Sequence, residues 1–117
     1  MRIFGEQPSI SINGLLYKRD GVIMLDGVPV ITLWGDYKAI GRPSAHGDYI
    51  FFEARKRGDA TTSPYEWEVW VYDTRTHVKQ FVIKGANPFY YGGELFYQVY
   101  KGNSKFDTYY IPYKLNG

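Results

Sequence analysis

The residues that could do chemistry in this chain are few, and their spacing does little for it. His46 and His77 are the only histidines, one beside a Gly turn and one in a hairpin turn. A metal centre needs three or four ligands from convergent elements. No spacing here supplies them, so neither a metal nor any other cofactor is expected. Ser9, Ser11 and Ser44 lack the setting of a nucleophile elbow, and no Gly-rich phosphate loop follows a strand and opens a helix. Glu66 and Glu68 flank Trp67 on one strand face, where solvated carboxylates are expected in preference to a general acid–base pair. The chain is therefore read as non-catalytic. The alternative, an enzyme, would gather Asp36, Asp48, Glu94 and the histidines around a channel shared between subunits.

Composition bounds the rest. A length of 117 residues suits a single domain over 1–117. Hydrophobic content of 44% excludes a disordered chain, and aromatic content of 19% favours strands over helices. No stretch has apolar spacing at i, i+3, i+4 and i+7, so almost no helix is expected. A formal charge of +2 is too small to argue for nucleic acid. Absence of cysteine excludes disulfides, thiolate chemistry and CxxC zinc sites. The opening MRIFGEQPS has no apolar signal region and no run reaches membrane-spanning length, so a soluble protein is expected, with the cytoplasm the favoured compartment.

The elements that would position any site repeat three times. Tyr65 to Pro88 is the clearest stretch: Trp67 to Tyr72 and Val78 to Ile83 are strands joined by the turn formers Asp73-Thr74-Arg75-Thr76. Ile3-Phe4-Gly5-Glu6-Gln7-Pro8 matches Ile83-Lys84-Gly85-Ala86-Asn87-Pro88, and Gly41-Arg42-Pro43 is a looser copy. After each Pro comes a turn (Asn13-Gly14, Gly47-Asp48, Gly92-Gly93) and a strand (Leu15 to Tyr17, Tyr49 to Phe52, Leu95 to Tyr97). A further strand follows in each: Val22 to Leu25, Trp67 to Tyr72, Tyr109 to Tyr113. Val28 to Trp34 and Val78 to Ile83 then give the first two copies a fourth strand, which the third copy would draw from Arg2-Ile3-Phe4. The repeats run approximately 5–41, 42–85 and 86–117 plus 1–4.

This pattern resembles the blades of TolB-like and WD40-like β-propellers. EVWVYDTRTHVKQFV is similar to the third and fourth strands of a blade, and GRPSAHGDYIFFEARK and ANPFYYGGELFYQVYK to the first and second. The Gly-His pair and Trp-Asp dipeptide of WD40 repeats and the Ser-Pro-Asp-Gly run of the enzyme propellers are missing, so no family ligand carries over. The resemblance implies an all-β fold of three four-stranded antiparallel blades per chain, the N-terminal strand closing the last one. Propellers hold four to eight blades, so two copies are expected to form a six-bladed homodimer. The alternative is a threefold single chain, a β-trefoil or β-prism, although the trefoil's Gln-x-Trp and the lectin prism's signature are absent.

In such a blade the loop Arg55 to Tyr65, about ten residues longer than its counterparts near Asp20 and Asn103, would share a face with the Gly-x-x-Pro segments. The expected binding residues are Glu6, Gln7, Arg42, Arg55, Arg57, Asp59, Asn87 and Lys105, recognising a protein or carbohydrate partner. Arg42, Arg55, Lys56, Arg57 and Lys105 alternating with Tyr is the weaker case for single-stranded nucleic acid. Arg57-Gly58-Asp59 spells the integrin-binding tripeptide and is read as a coincidence of composition. Most of Tyr90, Tyr91, Tyr97, Tyr100, Tyr109, Tyr110 and Tyr113 are expected to pack between blades, the exposed remainder being free to stack on sugars.

Overall fold

Alternation of polar and apolar residues, with aromatic and β-branched types at the apolar positions, makes nearly every segment of this chain a strand. The computed structural model describes residues 6–11, 14–56 and 67–115, and among them there are eleven strands and no helix. β1 (Glu6–Ser11), β2 (Gly14–Arg19), β3 (Val22–Leu25) and β4 (Val28–Ile31) form the first sheet, paired antiparallel in chain order. β5 (Tyr37–His46), β6 (Tyr49–Lys56), β7 (Glu68–Asp73) and β8 (Val78–Lys84) form the second in the same way. β9 (Ala86–Tyr91), β10 (Glu94–Gly102) and β11 (Lys105–Pro112) form a third of three strands.

Two expectations change in detail. The fourth strand of the first sheet ends at Ile31, short of Trp34, because Gly35 and Asp36 turn the chain there into β5. Trp67 precedes β7, which begins at Glu68. The N-terminal closing strand, Arg2 to Phe4, lies outside the described residues.

The Pro segments are not loops. In each sheet the first strand lies at an edge, and in each it carries a β-bulge at the Pro. Glu6 pairs with Lys18 and Ser9 with Leu16; Gly41 pairs with Glu53 and Ser44 with Phe51; Ala86 pairs with Gln98 and Phe89 with Phe96. Three residues thus advance against two at Gln7-Pro8, Arg42-Pro43 and Asn87-Pro88. A residue that cannot donate a ladder hydrogen bond is tolerated at an edge or a bulge, and the extra residue takes a left-handed conformation, φ 49° at Arg42 and 50° at Asn87.

Packing follows the order of the sheets. β1 lies against β5 and β5 against β9, while β2 and β3 also cover β5, and β6 and β7 cover β9. Between the first and second sheets, Leu16, Ile23 and Ile31 meet Ile40, Ile50, Phe52 and Tyr72. Between the second and third, Phe51, Val69 and Val71 meet Leu95 and Tyr97. Alternation along β6 sends Ile50 and Phe52 to one core and Phe51 to the other, which is why that strand is apolar on both faces. The sheets follow one another without closing on themselves.

Candidate functional site

At the end of the sheets where β6 gives way to β7, three of the expected binding residues meet a carboxylate that the sequence alone did not single out. Glu53, 2% exposed in the centre of β6, accepts the backbone N–H of Asn87 at Oε2 (2.7 Å). Arg42 Nε lies 3.4 Å from the same oxygen, and Arg55 Nη2 donates to Oε1 at 3.3 Å. Asn87 Nδ2 in turn donates to Gln98 Oε1 at 3.3 Å. The Arg55 guanidinium stacks 3.7 Å over the Trp67 ring, whose indole N–H is buried without a hydrogen-bond partner. Arg42, Arg55 and Asn87 thus do come together, around an interior acceptor that ties the second sheet to the third. The available signal was positional: Lys18, Glu53 and Gln98 each stand ten residues after a repeat Pro, facing the bulge.

Of the other expected residues, Lys105 does not join them. Lys105 is exposed at the start of β11, opposite Gly102. Glu6 and Gln7 lie in β1, and their side chains are outside what is described. Arg57 and Asp59, with the rest of the long loop, lie outside the described residues.

Glu68 corrects another expectation. It is buried, not solvated: Tyr37 Oη donates to its Oε1 at 2.7 Å, Trp70 Nε1 donates to the same atom at 2.9 Å, and Lys56 Nζ lies 3.7 Å from Oε2. Burial, and then the hydrogen bond to Glu68, pushes the Tyr37 hydroxyl far above the usual tyrosine value. Its supposed companion Glu66 lies outside the described residues. The histidines have partners of their own, His46 at the end of β5 and His77 in the turn before β8. His77 Nδ1 shares a hydrogen bond with Tyr72 Oη at 2.8 Å, and the His46 ring lies edge-on to Tyr90, 4.7 Å between centroids.

The opposite end, where the short turns cluster, holds an open groove between the second and third sheets. Two adjoining hollows of about 530 and 450 Å³ share Tyr49, Tyr113, Lys114 and Leu115. Tyr90, His46 and Asp48 line the first, and Asp73 and Arg75 the second. The turn formers at 73–76 fold tightly: Asp73 Oδ1 accepts the Arg75 backbone N–H at 2.8 Å and Nε at 3.3 Å. Those bonds hold the Asp73 carboxyl below its ordinary range. Arg75 Nη2 donates to Tyr49 Oη at 2.8 Å, and Arg75 Nε lies 3.6 Å from Asp48. Tyr90 Oη donates to the Tyr113 carbonyl at 2.7 Å. The groove therefore offers the outer edges of phenol rings that pack against the core, Tyr90 stacked on Phe51 with 5.4 Å between centroids, beside a surface ion-pair network. Such groups can hydrogen-bond and pack against a neutral polyhydroxylated ligand.

The fold and this groove define an all-β protein of three antiparallel sheets with an inter-sheet cleft. No protein-family model matches the chain, and no significantly similar curated protein or solved structure was found.

Proposed function

We propose that the chain is a non-catalytic binding scaffold built as half of a six-bladed β-propeller, two copies closing the ring. The observation that carries this reading is the recurrence of one arrangement. Each sheet is a meander with its bulged first strand against the first strand of the next. The main contacts run from the first sheet to the second and from the second to the third, which supports a propeller over a trefoil or prism, where the third unit would return to the first. In the ring, residues 2–4 of one copy would pair with the outer edge of β11 in the other, an edge otherwise open to aggregation.

The ligand site of this scaffold is the groove at Tyr49, Tyr90 and Tyr113, and its ligand class is a glycan. Rings with an apolar face and polar edge, next to anchored charged groups, are what a sugar's C–H face and hydroxyls require. Arg42, Arg55 and Asn87 are assigned to holding the sheets together.

Two measurements test the reading. Solution mass at micromolar concentration is expected at twice 13.6 kDa, and deletion of residues 1–4 is expected to weaken the dimer; a wild-type monomer removes the half-ring. On a glycan array, wild type is expected to retain a saccharide that Tyr49→Ala loses. Silence on the array, with salt-sensitive retardation of single-stranded nucleic acid instead, would overturn the glycan assignment.

A further inference from the structure

We infer that the outward face of the third sheet is the seat of a second copy of this chain, which lays upon it the face of its own first sheet around the Leu15 hollow. The inference rests on the half-ring reading above and names the surfaces that would close it.

Strand register places one residue of each sheet in the same row. Ser9, Leu16 and Leu25 align across the first sheet, Ser44, Phe51 and Val71 across the second, and Phe89, Phe96 and Tyr110 across the third. Leu16 and Phe51, at the position of Phe96, are fully buried because each points into the core shared with the following sheet. Among the described residues no further sheet covers the third. There the row is wholly aromatic: Phe96 at its centre is half-buried, Phe89 is 55% exposed and Tyr110 59%, and neighbouring Tyr91, stacked on Phe89, is 69% exposed. Phe96 and Tyr110 hold their rings 5.6 Å apart on this face. Monomers rarely leave so contiguous an apolar surface bare.

The complementary half of the interface is at the other end of the chain. The residues that receive each preceding sheet are Ile50 and Phe52 in β6 and Leu95 and Tyr97 in β10. Their counterparts in β2 are Leu15, half-buried, and Tyr17, whose ring is only 5% exposed, on the side turned away from the second sheet. There they line a hollow of about 300 Å³ with Arg19, Asp26 and Gly27. The chain thus carries the donor surface of this packing at one end and the acceptor surface at the other. In the half-ring a two-fold axis would bring each donor onto the other copy's acceptor, and a contact closed in that way leaves no end from which a filament could grow.

Phe96→Lys and Tyr110→Lys are expected to give monomers by light scattering, with the wild-type β signature kept in circular dichroism. Cysteine labelling keeps the inference testable if those variants fail to fold, since the chain has no cysteine of its own. Leu15→Cys and Phe96→Cys proteins, mixed and treated with a bismaleimide matched to the roughly 10 Å between packed sheets, are expected to link to one another and not each to itself. A wild-type monomer overturns both this inference and the half-ring. A wild-type dimer in which Phe96→Cys links only to itself, or in which Phe96→Lys and Tyr110→Lys leave the mass unchanged, overturns the assignment of faces. The residue 1–4 deletion then tests the ring independently.

Discussion

The carboxylate of Glu53, in the second strand of the second sheet, accepts the backbone N–H of Asn87, in the first strand of the third, at 2.7 Å. One side chain thereby satisfies the amide that a β-bulge removes from its own ladder. It also fixes where the third sheet sits on the second.

Replacing Glu53 with Leu strands the Asn87 N–H, while Arg42 and Arg55, both partly exposed, can turn to water. The orphaned amide sets the loss, about 1–3 kcal/mol in urea denaturation. Glu53→Gln keeps an acceptor and is expected to lose only about half as much, since bonds to a charged group are roughly twice as strong as neutral ones. Equal losses for the two variants would assign the stability to charge pairing with the arginines instead.

Arg42 holds φ 49° at the second sheet's bulge. A β-branched residue there pays the left-handed penalty more heavily, so Arg42→Val is expected to cost about 1–2 kcal/mol. Arg42→Gly removes that strain and loses an ion pair already half in water, and is expected to fall within about 1 kcal/mol of wild type. Thermal denaturation of the two variants side by side checks the order.

Gly85 leads β8 into β9 where a Cβ would lie 2.8 Å from Tyr97 Cδ2 and 3.1 Å from the Gln98 carbonyl oxygen. Gly85→Ala must therefore displace the third sheet's central strand. A loss of about 1–3 kcal/mol is expected from this overpacking, read from the denaturation midpoint.

Tyr37 gives the fold an alkaline limit. Its hydroxyl stays protonated above the usual tyrosine value because burial opposes the phenolate and Glu68 accepts its proton bond. Burial moves Tyr72 and Tyr113 the same way. A raised folded-state value contributes stability that is fully present below about pH 10, where the unfolded chain's tyrosines ionise, and is lost as pH rises from there toward the folded value. Denaturation midpoints are expected to hold to about pH 10 and then fall. Tyr37→Phe should fall less steeply, from a starting stability lower by about 1.5–3 kcal/mol for the lost bond to a buried carboxylate.

Local pattern determined most of the strands. The alternation in Glu68 to Tyr72 and the turn formers at Asp73 to Thr76 mark their hairpin locally, because strand propensity and turn chemistry act over a few residues. The common spacing around Pro8, Pro43 and Pro88 was legible too, and each of these prolines stands in the first strand of one of the three sheets. What those prolines do was not legible. A Gly-x-x-Pro segment has the composition of a loop, and only pairing with a strand ten residues on turns it into a bulge. The same distance hid Glu53 and Glu68. As letters they are charged residues in strands, to be placed in water; their donors, the Asn87 amide and the Tyr37 hydroxyl, arrive from residues 34 and 31 positions away. The candidate groove has the same origin. Tyr49, Arg75, Tyr90 and Tyr113 come from four separate turns and strand ends, and only the packing of one sheet on the next brings them to one cleft.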